Sequence, residues 1–510
     1  MRSICLPALG VLLSLGTLVN FVGTARADYA TDPAAPLAIR ATASDDVQPK
    51  LAPAPDGGTY VSYFSGTGYD VRLARLNAAG AFVWKSTDIL VEDRTNSSTT
   101  DYGLASDAAG NAYIAYDVGS SIICTSIAPD GTTRWRKTVS FAAGGSVGRV
   151  TVASDGAIWV AFIEGSSTRV QRLDAAGTAS FPTGVLLNET SASMFSADIQ
   201  PSVDGAVIVS CVRYTTFSGP KILRAHRVNA DGTKPWAAIG TSVFTTGSLQ
   251  FGNFPSFIPD GAGGAYFCWY TSSPLQSFAQ RVNASGAVQY GTNGVSVTLS
   301  ATGAERVSPS MALGADDRLY VFWSQRTPNT SIYGVFGQCF AGGVRQWGDT
   351  GAAVAPLATV YSRAWATAAR LNGGIACFYD DSSSATQDNI RCGILTAKGS
   401  VASTVDVAVN SGVKYRLGAA AAPADGTLLF WQGGVSTGAS DVYGGRMNAD
   451  GTLGPAPSSN SADLNGDGTI DAADLALLLS NWGNSGVGDI DGDGTVGASD
   501  LSALLGAWMS

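Results

Sequence analysis

At 510 residues, with 62 glycines and only four glutamates (Glu92, Glu164, Glu189, Glu305), the chain has the composition of a β protein. Its formal charge of −9 is uneven, because eight aspartates and no lysine or arginine lie between Asp463 and Asp500. The rest is nearly neutral, with no basic stripe to neutralise nucleic-acid phosphates. A single histidine, His226, confines any Ser-His-Asp arrangement to one place, and no Cys/His spacing suggests zinc.

The chain opens with Arg2, an apolar run from about Leu9 to Val22, and Ala25-Arg26-Ala27. A charged tip, a greasy centre and small residues at −3 and −1 predict a secretory signal over residues 1–27, and hence an exported product. Cys5 lies too early for a lipoprotein cleavage box, and no other stretch is long and apolar enough to span a bilayer. Removing Cys5 leaves six cysteines, an even number that permits disulfides in an exported chain. Cys211, Cys268 and Cys377 fall in apolar strand sequences, where a thiol acts as a small hydrophobe. Cys377–Cys392 is the one pair placed for a bridge; the alternative is six buried thiols.

From about residue 36 to 454 one pattern recurs. Its clearest example, Phe254 to Leu299, reads as four short strands bounded by Gly, Asn and Asp. A turn glycine between the third and fourth strands stands at 80, 131, 177, 232, 286, 343, 399 and 451. Four residues later an aromatic follows in six units: Trp84, Trp135, Phe181, Trp236, Tyr290 and Trp347. Four strands per fifty-odd residues, eight times over, predict a mainly β fold, an eight-bladed β-propeller, with seven blades as the fallback. Tandem immunoglobulin-like domains need roughly 100 residues apiece and fit poorly. The last unit lacks a fourth strand, whereas Pro36–Thr42 precedes the first unit without a partner. Placing 36–42 in the last blade closes the ring and removes an open edge. The predicted propeller is 28–454, followed by a Pro/Ser-rich linker at 455–462.

Beyond the linker, DLNGDGTIDAAD (Asp463–Asp474) and DIDGDGTVGASD (Asp489–Asp500) are two copies of one loop. Each places oxygen ligands at positions 1, 3 and 5 (Asp463, Asn465, Asp467; Asp489, Asp491, Asp493), a carbonyl at 7 (Thr469; Thr495) and a carboxylate at 12 (Asp474; Asp500). Glycine at position 6 permits the sharp turn, so each loop is predicted to wrap one Ca²⁺. One helix follows each loop with the same apolar spacing: Leu475, Leu478, Leu479, Trp482 and Leu501, Leu504, Leu505, Trp508. The two stripes are expected to pack together. A duplicated loop-then-helix ending in Asp resembles a type I dockerin over residues 463–510. The resemblance implies a calcium-dependent α module that attaches its carrier, often a polysaccharide-degrading enzyme, to a cohesin or another cell-surface protein. This chain departs from it with Ala472-Ala473 and Ala498-Ser499 at positions 10 and 11, and Ser480 and Gly506 further along the helix. The blade pattern DGAGGAYFCWY…QRVNASGAVQY is similar to propeller repeats of exported bacterial proteins of unassigned activity.

No catalytic residue is assigned. His226 lies within a strand, LRAHRV, and reads as structural. Asp117, Glu164, Asp380 and Asp381, at the ends of aromatic strands, are the carboxylates a glycosidase would use; as solvated or capping groups they carry no chemistry. Sialidase-type Asp boxes are absent, with Ser154–Trp159 a partial echo. Ligands are expected on the variable loops between second and third strands. Arg306, Arg363 and Arg416 begin the sixth, seventh and eighth units. Each stands about ten residues before the first turn of its unit, at equivalent positions that lie side by side round the central opening. The three are therefore expected to converge on a carboxylate or sulfate of an acidic glycan or protein; the alternative is pairing with nearby Asp or capping carbonyls. The favoured reading is an exported, non-catalytic, ligand-binding propeller with a calcium-dependent attachment module. The alternative is a dockerin-bearing glycoside hydrolase.

Overall fold

A computed structural model of the chain describes residues 28–455, except 96–99, 301–302, 315–316, 372–373, 385, 423–425 and 435–438, together with 462, 464, 470–490 and 495–508. The β-formers of each unit pair with their neighbours in sequence, because short Gly, Asn and Asp turns join them. The result is eight antiparallel sheets, each with a core of four strands, which follow in consecutive order in the first seven blades. In blade six the outer strand is split, Val344–Arg345 and Ala352–Ala358 both pairing with Tyr333–Ala341. The fold is an eight-bladed propeller, as the repeat predicts.

Ring closure follows the chain ends. Leu37–Arg40 pairs antiparallel with Asp441–Met447 and so supplies the outer strand of blade eight, whose other strands are Val413–Ala422 and Gly426–Gly434. Leu37 and Ile39 point inward and are buried, while Ala38 between them faces out, the alternation a strand requires.

The two sequence markers turn out to touch each other. Trp84 packs on Gly131 of the next blade, Trp135 on Gly177, Phe181 on Gly232, Trp236 on Gly286, Tyr290 on Gly343 and Trp347 on Gly399. The four tryptophans also donate Nε1–H to a carbonyl in that neighbouring turn, at 2.9–3.0 Å. Each such glycine has positive φ, and a Cβ there would meet the ring. At the seam, Tyr29 takes the missing aromatic's place: its ring covers Gly80, and its N–H bonds the Ala79 carbonyl.

The second strand of every blade is almost wholly buried, with Trp159, Trp269, Trp323 and Trp431 sealed between sheets. All six cysteines described are free and buried, so no Cys377–Cys392 bridge exists. Cys377 lies opposite Gly393 and Cys392 opposite Phe378. That one-residue offset sends the two thiols to opposite faces of the sheet, into separate hydrophobic clusters.

Candidate functional site

The first strand of each blade lines the ring's interior, and in blades one, three, four, six, seven and eight its pairing with the second strand slips at a β-bulge. A bulge adds a residue and re-aims side chains. Gln48, Val147, Ser308 and Arg416 have left-handed backbones there, a conformation usually left to glycine. Trp365 is the extra residue in blade seven, between Ala364 opposite Tyr379 and Ala366 opposite Phe378.

These strands enclose a central cavity of about 860 Å³, whose lining includes Gln48, Lys50, Arg149, Asp198, Trp365 and Arg416. Asp101, just behind this wall, receives Lys50 at 2.6 Å and Arg149 at 2.7 Å. Burial pushes its carboxyl up, but the two cations together hold it well below the usual range. Asp198 is raised by burial, and Gln200 donates to it at 3.1 Å. Arg416 is exposed to the cavity. Trp365 is fixed from behind: its Nε1–H bonds the Asp380 carboxylate, and the Arg363 guanidinium lies 4.0 Å from its ring centre. The cavity therefore offers an oriented indole and several cations, with one carboxylate shared between two of them.

The three arginines do not occupy equivalent registers. Ser310, Ala366 and Gly418 lie opposite the corresponding Phe322, Phe378 and Phe430; Arg306, Arg363 and Arg416 precede them by four, three and two positions. In a strand, each single step reverses the side-chain direction. Arg306 is buried and donates to Gln276 Oε1 at 2.6 Å and to the carbonyls of Ala304 and Ser300. Arg363 lines a pocket between blades six and seven, and Arg416 lines the central cavity. Trp365, Lys50 and Arg149 were missed in the sequence because nothing local marks a bulge; an indole outside the second-strand aromatic pattern is the one available hint.

Of the four candidate acids, three are neutralised. Asp117 pairs with buried Arg94 at 3.2 Å, Glu164 with Arg169 and the amides of Phe141 and Ala142, and Asp381 with Arg391 at 3.0 Å. Asp380 differs: burial, aided by nearby Asp388, raises its carboxyl to about 7 against the pull of Trp365 and Arg363. Its Oδ1 has no hydrogen-bond partner among the described residues. His226 is a core residue, its Nε2 3.3 Å from Met194 Sδ, and burial lowers it to about 3.

In the C-terminal module, Asp463, Asn465, Asp467, Thr469, Asp491 and Asp493 lie outside the described residues. Asp474 and Asp500 are fully buried at the starts of helices Ala472–Ser480 and Ala498–Trp508. Each turns back on its own loop in the same way: Asp474 accepts from the amides of Leu464 (2.6 Å) and Asp471 (2.8 Å), Asp500 from those of Ile490 and Gly497. Both carboxylates, at position 12, thus accept from the amides at positions 2 and 9 of their own loops. Asp489 and Thr495 stand in the second loop. The apolar stripes divide rather than packing whole. Leu478 and Leu504 are buried with Ile490 and Val496, while Leu479, Trp482, Leu505 and Trp508 are exposed.

No helix among the described residues is long and apolar enough to cross a membrane. No protein-family model and no curated protein matches the chain. Among solved structures, an ulvan lyase of polysaccharide lyase family PL25, bound to -[GlcA(1-4)Rha3S]-, aligns with a TM-score of 0.44 at 13% identity over 84% of this chain and 96% of that one. The polysaccharide lyase Uly1 aligns with a TM-score of 0.40 at 10% identity over 77% and 88%. A protein of unknown function from Dyadobacter fermentans DSM 18053 aligns with a TM-score of 0.36 at 10% identity over 80% and 96%. Likenesses this distant say nothing of chemistry in this chain, whose propeller architecture rests on its own eight sheets.

Proposed function

We propose that this is an exported, non-catalytic propeller that binds an acidic glycan in its central cavity, with residues 463–510 as a calcium-dependent attachment module. The observation that carries the glycan reading is the delivery, by bulges, of Trp365 and Arg416 into one cavity that Lys50 and Arg149 also line. An indole held by its N–H presents a flat apolar face to a sugar ring, and a guanidinium takes a carboxylate or sulfate through paired hydrogen bonds. Of the three arginines, Arg416 is the one assigned to this cavity. The test is titration of the full chain with uronate and sulfated glycans. Arg416→Ala and Trp365→Ala are each expected to weaken binding about tenfold, a difference of about 1.4 kcal/mol. Unaltered affinity in both, or no binding by any glycan tried, removes this site.

In the module, Asp463, Asn465, Asp467, the Thr469 carbonyl and Asp474 would hold one Ca²⁺, and Asp489, Asp491, Asp493, the Thr495 carbonyl and Asp500 a second. The buried, inward-turned Asp474 and Asp500 support this reading. Bound calcium would supply folding free energy to a unit too small to gain enough from apolar burial. Exposed Leu479, Trp482, Leu505 and Trp508 suit docking on a cohesin-like or other cell-surface protein. Export rests on the signal-like residues 1–27, which lie outside the described residues.

A second reading, a carboxylate glycoside hydrolase, has one observation in its favour: Asp380, raised to about 7, bonds the cavity-lining Trp365. An acid of that pKa is matched to proton donation near neutrality. Release of reducing sugars from a polysaccharide, abolished by Asp380→Asn, would establish it in place of simple binding.

A further inference from the structure

A pocket of about 310 Å³ lies at the junction of blades six and seven, and its Arg363 touches the Trp365 ring of the central cavity. Two aromatic rings stand in it, Tyr333 and Tyr361, edge to face with centres 4.8 Å apart. Tyr361 is 40% exposed, so its ring face is open to the pocket. Beside Tyr333, Arg326 donates to Glu305 at 2.7 Å. Beside Tyr361 stands Arg363, which has no salt-bridge partner among the described residues. Its guanidinium lies 4.0 Å from the centre of the Trp365 ring, and that indole belongs to the central cavity. One ring–guanidinium stack therefore separates the two spaces.

We infer that this pocket is a second saccharide subsite, in which the packed Tyr361–Tyr333 pair forms one aromatic wall for a sugar ring and Arg363 takes its carboxylate or sulfate, so that one acidic polysaccharide strand occupies both spaces across the Trp365–Arg363 stack. A ring that is exposed yet braced, next to an arginine with no salt bridge among the described residues and the polar chains of Gln325 and Ser324, meets both requirements of an anionic sugar: an apolar face and a charged edge. Crossing two subsites makes the second contact intramolecular, so affinity grows with chain length. The inference rests on the central cavity being a glycan site, and the test separates the two.

Oligogalacturonides from dimer to octamer are titrated calorimetrically into the full chain. In the wild type, affinity is expected to rise by about tenfold once the oligomer is long enough to reach both spaces. Tyr361→Ala erases that rise and leaves dimer affinity intact, whereas Tyr361→Phe preserves it. Tyr333→Ala, with its melting temperature checked, gives the same answer if Tyr361→Ala does not fold. A wild type without length dependence, or a Tyr361→Ala and a Tyr333→Ala variant that keep it, overturns the subsite while leaving the central site standing. If Tyr361→Ala weakens every length and Arg416→Ala none, the pocket stands and the central site falls. No binding by any oligomer overturns both.

Discussion

Replacing Leu37 and Ile39 together with alanine tests the closure of the ring. These side chains are 4% and 2% exposed and meet Tyr63, Leu76, Leu428, Phe430 and Val442 in the cluster joining blades eight and one. Ile39 Cδ1 sits over Gly444, where an added Cβ would come within 3.3 Å of it. Truncating one buried aliphatic side chain to alanine costs about 2–4 kcal/mol; two sharing one cluster overlap, giving about 5 kcal/mol for the pair. An unfolding entropy of about 2.1 cal/mol/K per residue over roughly 430 residues is about 0.9 kcal/mol/K, so the midpoint should fall by about 5–6 °C. Ala38→Ser, on the outward face of the same strand, should leave the midpoint within about 1 °C. Deleting residues 36–42 removes the whole strand, exposes the edge Asp441–Met447, and should cause aggregation visible by light scattering. Calorimetric melting of the three variants and size-exclusion chromatography of the deletion read these effects. A double alanine variant melting like the wild type, with a monomeric deletion, would refute closure by this strand.

Calorimetric titration of chelator-treated full-length protein is expected to show two Ca²⁺ sites, one after Asp474→Ala or Asp500→Ala and none after both; a wild type taking up no calcium ends the proposal. His226 should make the fold acid-sensitive. Its imidazole stays neutral in the core down to about 3, while the unfolded chain takes up that proton below its ordinary pKa near 6.5. The unfolded state therefore binds more protons in this window, and stability is full above about pH 6.5 and falls by roughly 1.4 kcal/mol per unit below it. Denaturant midpoints at pH 6.5 and 4.5 should differ less in His226→Met than in the wild type, and equal differences would count against a buried neutral imidazole.

The blade count, the turn glycines, the aromatic four residues beyond them and the closing strand were all legible in the sequence, because each is a local pattern repeated at a fixed interval. The duplicated acidic loops are a sequence pattern of the same kind, a spacing within twelve residues, and their calcium reading is a proposal. What the aromatics touch was not: Trp84 and Gly131 meet only after two blades are stacked, and Tyr29 takes over the role at the seam with no repeat to announce it. The cysteine pair failed on register, since one residue of offset across a ladder separates two faces. The arginines failed likewise. Counting from the turn aligned Arg306, Arg363 and Arg416, whereas the pairing sets them one step apart, burying the first, stacking the second on Trp365 and turning the third into the cavity. Repetition in the sequence determined the architecture, because a strand and its turn are encoded within a few residues. The contents of the central cavity were decided only by the tertiary structure, because bulges and inter-blade packing set the direction of each side chain across residues some fifty positions apart.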